Sequence, residues 1–200
     1  MYIANFEGDI NLFDLYDNDE FEKIDQILSE FNNKEGLVID VRSNTGGNDF
    51  LSKIVAARFA NEKQIFAIQY WRNGENHDDF ISKKRYIEPK GEILFTKPVT
   101  VLTNRETYSA AEGFVEMMML FPQVTLIGGN TGGGSGGTAY FELPNGLTYR
   151  ITTKFETLPN GKYYENVGIA PDIKVTNTNR DDSNGIDRIL EAAIEHLNNE

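Results

Sequence analysis

The chain contains no cysteine, a single tryptophan and two histidines in 200 residues. Without thiols it has no disulfide framework, no thiolate nucleophile and no cysteine-based zinc site. The histidines, His77 and His196, lie far apart in sequence, and no carboxylate group has ligand-like spacing, so neither a metal nor a cofactor is expected. The acidic stretch Asp14 to Glu20 lacks the glycine and the closing glutamate of a calcium loop and reads as a charged helix entry. Basic residues are also in deficit: 19 Lys and Arg face 31 Asp and Glu, for a net charge of −12. Such a chain repels a polyphosphate backbone, and its one basic cluster, Lys83-Lys84-Arg85, is too small for a nucleic-acid surface. No hydrophobic run approaches the ~20 residues of a membrane-spanning helix. Residues 1–7 show neither a basic leader nor a signal-like apolar stretch. No nucleic-acid partner and no membrane contact are expected of this domain.

What is present describes an ordinary globular α/β domain. Two hundred residues suffice for one sizeable core, and no linker or repeat divides them, so residues 1–200 are expected to form one domain. Tyr2–Phe6 alternates like a short strand, and Asp17–Phe31 carries Phe21, Ile24, Ile27, Leu28 and Phe31 at helical spacing. Leu37–Val41 reads as a buried strand, followed by a glycine turn and an amphipathic helix through Leu51, Ile54, Val55 and Phe59. Gln64–Trp71 reads as a strand, and Arg72–Gly91 as a polar, irregular excursion. Val99–Thr103 is a further buried strand, leading through a turn into a helix from Ser109 to Phe121. Val124–Ile127, a hairpin around Pro144-Asn145-Gly146 and a last helix from Ile186 to Leu197 complete the pattern. Repeated strand and helix predict a layered α/β fold whose strand ends carry the functional loops.

Two turns stand out chemically. Ser109 sits where a strand turns into a helix, so its hydroxyl meets unpaired backbone N–H groups and a favourable helix dipole. That placement suits a nucleophile, with the N–H of Ala110 as an oxyanion donor. It also suits a plain helix cap, with Glu112 completing a capping box. Gly46-Gly47 lets the backbone approach a ligand, and Gly47 offers a second donor, although an ordinary turn explains the pair equally well. The glycine run 132–137 lacks the Lys-Ser/Thr ending of a phosphate loop.

Together the motifs form an ordered series. Val38-Ile39-Asp40-Val41-Arg42-Ser43-Asn44-Thr45-Gly46-Gly47 resembles the Asp-Leu-Arg-x-Asn-x-Gly-Gly signature of the tail-specific, or C-terminal processing, serine peptidases. Val101 to Glu112 is similar to their strand-turn-nucleophile segment, and Ile127 to Gly133 to the Gly-x-x-Thr-x-Gly that follows. Leu158-Pro159-Asn160-Gly161 and Gly168-Ile169-Ala170-Pro171-Asp172 resemble the closing elements, so the likeness spans roughly residues 1–175. The resemblance implies a crotonase-like core, a polypeptide substrate, Ser109 as nucleophile, and the N–H groups of Gly47 and Ala110 as the oxyanion hole. It also implies an extracytoplasmic location for the intact protein, and allows a homo-oligomer.

The general base is the departure. Dyad members of the family place a lysine near the position of Gly134, but none lies between Lys97 and Lys154, and Lys154 does not match the motif. The tricorn-like branch uses Ser-His-Glu, and Glu165 matches the position of its glutamate. Neither His77 nor His196 falls where that branch has its histidine, which lies N-terminal to this core. The expectation is therefore a catalytic core lacking its N-terminal region (leader, helical cap or PDZ module) and inactive alone. A non-catalytic peptide-binding module of the same fold and a crotonase-like acyl-CoA enzyme remain as alternatives.

Overall fold

The computed structural model describes residues 1–5 and 19–200. Expectations for residues 6–18, including Phe6, the start of the first predicted helix at Asp17 and most of the acidic stretch from Asp14, lie outside them. The central feature is a parallel sheet of β1 (Leu37–Asp40), β4 (Val99–Thr103), β5 (Val124–Gly128) and β9 (Ile173–Lys174), in the order β1-β4-β5-β9. Tyr2 adds only a single parallel bridge to Asp40, in place of the strand expected at the start.

Alternation along these strands sets the two faces. Leu37, Ile39, Val99, Val101 and Leu126 point into the main core, which also receives α2 (Asp49–Ala56) and α3 (Ala110–Met118). Val38, Leu102 and Ile127 point the other way, onto Ile189 and Ala193 of α5 (Arg188–Asn198). Strands buried on both faces read as continuous apolar runs, which is why they are visible in the sequence.

A second sheet packs beside the first. In it β2 (Gln64–Arg72) pairs antiparallel with β3 (Phe80–Ile87) on one side and β8 (Lys154–Thr157) on the other. The third sheet is the predicted hairpin, β6 (Thr138–Glu142) with β7 (Thr148–Thr152). Two short helices, α1 (Asp19–Ser29) and α4 (Asn179–Ser183), complete the fold.

The strand β3 corrects the expectation of an irregular excursion over 72–91. It is an edge strand, exposed over most of its length, and its Ser82-Lys83-Lys84 run is polar and exposed. Lysines on an open edge discourage pairing with other chains, and they erase the apolar alternation that would mark a strand. α4, β8 and β9 also went unforeseen; the last is two residues long, below any readable period.

Candidate active site

The C-terminal ends of β1, β4 and β5 lie side by side, and each runs into one of the motif-bearing loops. After β1, Ser43, Gly46 and Gly47 all have positive φ, 63°, 104° and 132°. Asn44 shapes this turn from within: fully buried, it accepts the Gly46 N–H at 2.9 Å and donates to the Ile3 carbonyl at 2.9 Å. Its own carbonyl receives the Tyr108 N–H at 2.9 Å, which ties the first loop to the second.

The loop after β4 is held as firmly. The Asn104 side-chain oxygen accepts N–H groups of Ser43, Glu106 and Thr107. The Thr107 hydroxyl donates to the Val41 carbonyl at 3.0 Å and accepts the Asn104 N–H. From this turn Ser109 emerges with φ 56° and ψ −122°, a conformation that a non-glycine residue adopts only under constraint. Ser109 is exposed, and it heads α3 in a capping box, its side chain set toward the Glu112 N–H and the Glu112 carboxylate toward its own N–H. The Ser109 backbone N–H reaches the Glu112 carboxylate at 3.2 Å, one half of that capping box.

Gly46 is the residue that touches Ser109. A methyl group on Gly46 would lie 2.7 Å from the Tyr108 carbonyl oxygen, 2.8 Å from the Ala110 nitrogen and 2.8 Å from Ser109 Cβ. Only glycine allows so close an approach. Since the Gly46 N–H is taken by Asn44, the exposed Gly47 is the neighbour whose N–H has no acceptor among the described residues. The Ala110 N–H is in the same state, at the positive end of α3.

Glu112 has a larger role than a cap. Completely buried, it accepts the Thr131 hydroxyl at 2.6 Å and the backbone N–H groups of Gly133 and Gly134 at 2.7 Å each. It therefore clamps the glycine-rich loop after β5 onto the Ser109 turn. The next residue, Ser135, donates its N–H (3.1 Å) and its hydroxyl (3.0 Å) to Glu165. Glu165 is thus joined to the Ser109 turn through Ser135, Gly134 and Glu112, with the Asn166 N–H to Gly133 carbonyl bond (2.6 Å) bracing the far side. The sequence pointed to Glu165 by motif position; Ser135 carried no signal beyond its place in a glycine run.

Behind this chain of contacts lies an unusual buried pair. Glu116, one turn beyond Glu112 on α3, and Tyr164, next to Glu165, face one another in the core, and neither has a well-formed hydrogen bond. Burial foremost, then the Glu156 carboxylate, pushes the Glu116 carboxyl well above the usual range, and burial likewise raises the Tyr164 hydroxyl.

The histidines and lysine are elsewhere. His196, on α5, bonds Thr125 at the entry of β5, the opposite end of the sheet from Ser109. His77 is exposed in the tip between β2 and β3 and bonds neither Ser109 nor Glu165. Lys154 is paired with Glu156 at 3.3 Å. Among the described residues, no cluster of His, Asp and Glu could hold a metal ion, and no helix is long and apolar enough to cross a membrane.

Known proteins are similar to this chain. The sequence profile of peptidase family S41 matches residues 4–175. The carboxy-terminal-processing protease of Bartonella bacilliformis is 27% identical over 177 residues, covering 84% of this chain and 39% of that protein. Carboxy-terminal processing protease CtpA of Bacillus subtilis is 28% identical over 169 residues, covering 84% of this chain and 34% of its own length. The chain thus spans little more than a third of these relatives. A solved candidate peptidase from Parabacteroides merdae superposes with a TM-score of 0.86 at 36% identity, over 98% of this chain and 59% of the other.

Proposed function

Because the chain belongs to peptidase family S41, we propose that it is the core of a serine peptidase in which Ser109 Oγ attacks the carbonyl carbon of a peptide bond. The observation that carries this reading is the strained, exposed Ser109 at the head of α3, with the Gly46 backbone against its Cβ. Strain of this kind at a strand-to-helix turn lifts a side chain clear of its neighbours, as a nucleophile requires.

In the proposed reaction the Ser109 proton passes to a base as the new C–O bond forms, and the carbonyl oxygen becomes an oxyanion. The N–H groups of Gly47 and Ala110 stabilise that charge, the latter assisted by the α3 dipole. The base returns the proton to the leaving amine, and water then cleaves the acyl-enzyme with the same proton traffic. Glu165, braced by Ser135, orients an imidazole and stabilises its charged form. That imidazole belongs to neither His77 nor His196, so polypeptide outside these 200 residues supplies it. On this reading residues 1–200 are one catalytic core, its two-faced sheet and the helix following Ser109 fit a crotonase-like arrangement, its substrates are polypeptides, and the intact protein acts outside the cytoplasm.

A fluorophosphonate, which phosphonylates activated serines with loss of fluoride, tests the assignment. Imidazole added to the buffer stands in for the absent side chain. Modification should map to Ser109, accelerate with imidazole and vanish in Ser109→Ala. The absence of a histidine partner for Ser109 favours one second reading, a peptide-binding module without turnover; peptide binding with no labelling of Ser109 under any condition would select it.

A further inference from the structure

Two turns along α3 from Ser109 stands Glu116, a residue with no part in the reaction above. It is 0% exposed, Tyr164 is 1% exposed, and neither carboxyl oxygen of Glu116 nor the Tyr164 hydroxyl completes a hydrogen bond. Buried polar groups are paired in the great majority of cases, so an exception asks for a reason. The charged groups that face Glu116 are Glu156 of β8, Arg85 of β3 and Glu112 on its own helix. Arg85 is already committed to Glu156 at 3.2 Å and to Asp49 at 3.3 Å. Glu156 takes Gln69 and Lys154 as well. With the one facing cation spent and two carboxylates nearby, an ionised Glu116 has nothing to balance it, and the neutral acid is the favoured form. A neutral carboxyl is a donor as well as an acceptor.

The hydrogens around Glu165 give that donor a direction. The Ser135 hydroxyl sends its one hydrogen to Glu165 at 3.0 Å, beside the Ser135 N–H at 3.1 Å on the same oxygen. What the Ser135 oxygen has left is acceptor capacity. Tyr164, the residue before Glu165, brings its hydroxyl to both Ser135 and Glu116, in contacts that stop short of full hydrogen bonds. The phenol has one hydrogen for the Ser135 oxygen and lone pairs for the Glu116 proton. Every donor then points the same way: Glu116 to Tyr164, Tyr164 to Ser135, Ser135 to Glu165. Hydrogen bonds in such a chain polarise and strengthen one another.

We propose that Glu116 and Tyr164 are positioning residues for Glu165, acting through Ser135 as a one-way relay of hydrogen bonds. The inference rests on the reading of Glu165 as the carboxylate that orients an imidazole. It also carries a switch. Once Glu116 gives up its proton it can only accept, and a carboxylate draws the Tyr164 hydrogen more strongly than the Ser135 hydroxyl does. Tyr164 then turns from Ser135, and Glu165 keeps its two bonds from Ser135 without the support behind them. The tyrosine holds its own proton throughout, because burial and the neighbouring Glu116 both raise its hydroxyl. The relay is therefore intact at lower pH and fails as pH climbs through the ionisation of Glu116, a carboxyl whose burial sets that step well above the usual carboxylate range.

Imidazole-accelerated fluorophosphonate labelling of Ser109, followed across pH, reads the relay through Glu165. Glu116→Gln keeps a donor for Tyr164 and cannot ionise; Glu116→Leu fills the space and donates nothing. In Tyr164→Phe and Glu116→Leu the acceleration should fall about tenfold, the worth of one lost hydrogen bond. The parent should match Glu116→Gln on the acid side of the Glu116 ionisation and lose its acceleration relative to that variant as pH climbs. A merely structural role would slow labelling equally at every pH and would not be restored by glutamine. Identical pH profiles for the parent and Glu116→Gln, or full acceleration in Tyr164→Phe, overturn the proposal. NMR with carbon-13 at the tyrosine ring carbon that bears the hydroxyl supplies a readout independent of Ser109 chemistry, and the parent alone must show the effect even where Glu116→Leu fails to fold. The Tyr164 signal, identified by its absence in Tyr164→Phe, should move as pH climbs and stand still in Glu116→Gln. A moving signal without any labelling of Ser109 upholds the relay and removes the catalytic reading; labelling with a static signal upholds the catalytic reading and overturns the relay.

Discussion

Glu112 holds the backbone N–H of Ser109 at 3.2 Å with the same buried carboxylate that receives the N–H groups of Gly133 and Gly134 at 2.7 Å. One side chain thereby joins two loops that depart from neighbouring strands, and the proposed nucleophile keeps its geometry only while that acceptor stays in place. No cation balances the charge in the hydrogen-bond set; the Thr131 hydroxyl and the backbone donors do so instead. Buried carboxylates are tolerated when several N–H groups converge on them.

Glu112→Gln turns one acceptor oxygen into a donor facing other donors. Burial leaves no water to relieve the mismatch, and the expected loss is about 2–4 kcal/mol of folding stability. Urea unfolding gives the magnitude. Fluorophosphonate labelling of the folded fraction should fall as well, because the Ser109 turn loses its anchor; unchanged labelling would deny Glu112 a positioning role.

Gly46→Ala should disturb the site more than its size suggests. The added methyl meets backbone atoms and Ser109 Cβ at 2.7–2.8 Å, and φ is 104°, so neither neighbour nor residue can yield cheaply. A cost of about 1–3 kcal/mol is expected. Gly146→Ala is the control: its φ is 83° but nothing lies within 4 Å of the new methyl, so only the backbone term remains. Thermal unfolding of the two variants separates close approach from strain.

Glu116 predicts a pH dependence. Its neighbours are Glu156 from β8, Arg85 from β3, Glu112 on its own helix and Tyr164, and burial is the main cause of its raised carboxyl. A carboxyl that binds its proton more tightly when folded favours the folded state fully below its unfolded pKa, about 4.3, and less as pH climbs from there toward its folded value. Glu116→Gln keeps the shape and cannot ionise. Its stability relative to the parent should therefore be unchanged or lower in acid and should rise steadily toward neutral and alkaline pH; a difference that is flat with pH would contradict the assignment.

The bidentate pair between Arg58 and Asp25, at 3.0 and 2.9 Å, fastens α1 to the end of α2. The Arg58 side chain is fully buried. Burial pushes Asp25 up, but the Arg58 hydrogen bonds and the Glu92 N–H pull harder, and the carboxyl ends below its usual range. Its contribution is therefore present above the unfolded pKa, about 3.9, and lost as pH falls through the folded value. Arg58→Met should cost about 3–5 kcal/mol near neutral pH by stranding Asp25, and less in acid, where Asp25 can protonate. Denaturant midpoints across that range measure both.

Much of the parallel sheet was legible because its strands are apolar on both faces. Leu37 to Asp40, Val99 to Thr103 and Val124 to Gly128 stand within a residue of where the pattern puts them. Ser109 and Gly46-Gly47 were legible for a related reason, since each sits where an apolar run breaks into turn residues. β3 was hidden because an exposed edge imposes no alternation, and β9 because pairing with β5, not periodicity, makes it a strand.

The sequence by itself determined the layered α/β class, the strand-turn-helix unit that presents Ser109, and the order of motifs that places the chain beside the C-terminal processing peptidases. Those features depend on neighbours in sequence, through apolar periodicity, turn chemistry and helix starts. Only the tertiary structure decided which glycine touches Ser109, that Glu112 spends its carboxylate on another loop, and that Ser135 is what braces Glu165. Each of these joins residues from loops at the ends of different strands, and such contacts follow from strand order and register, which no local pattern encodes.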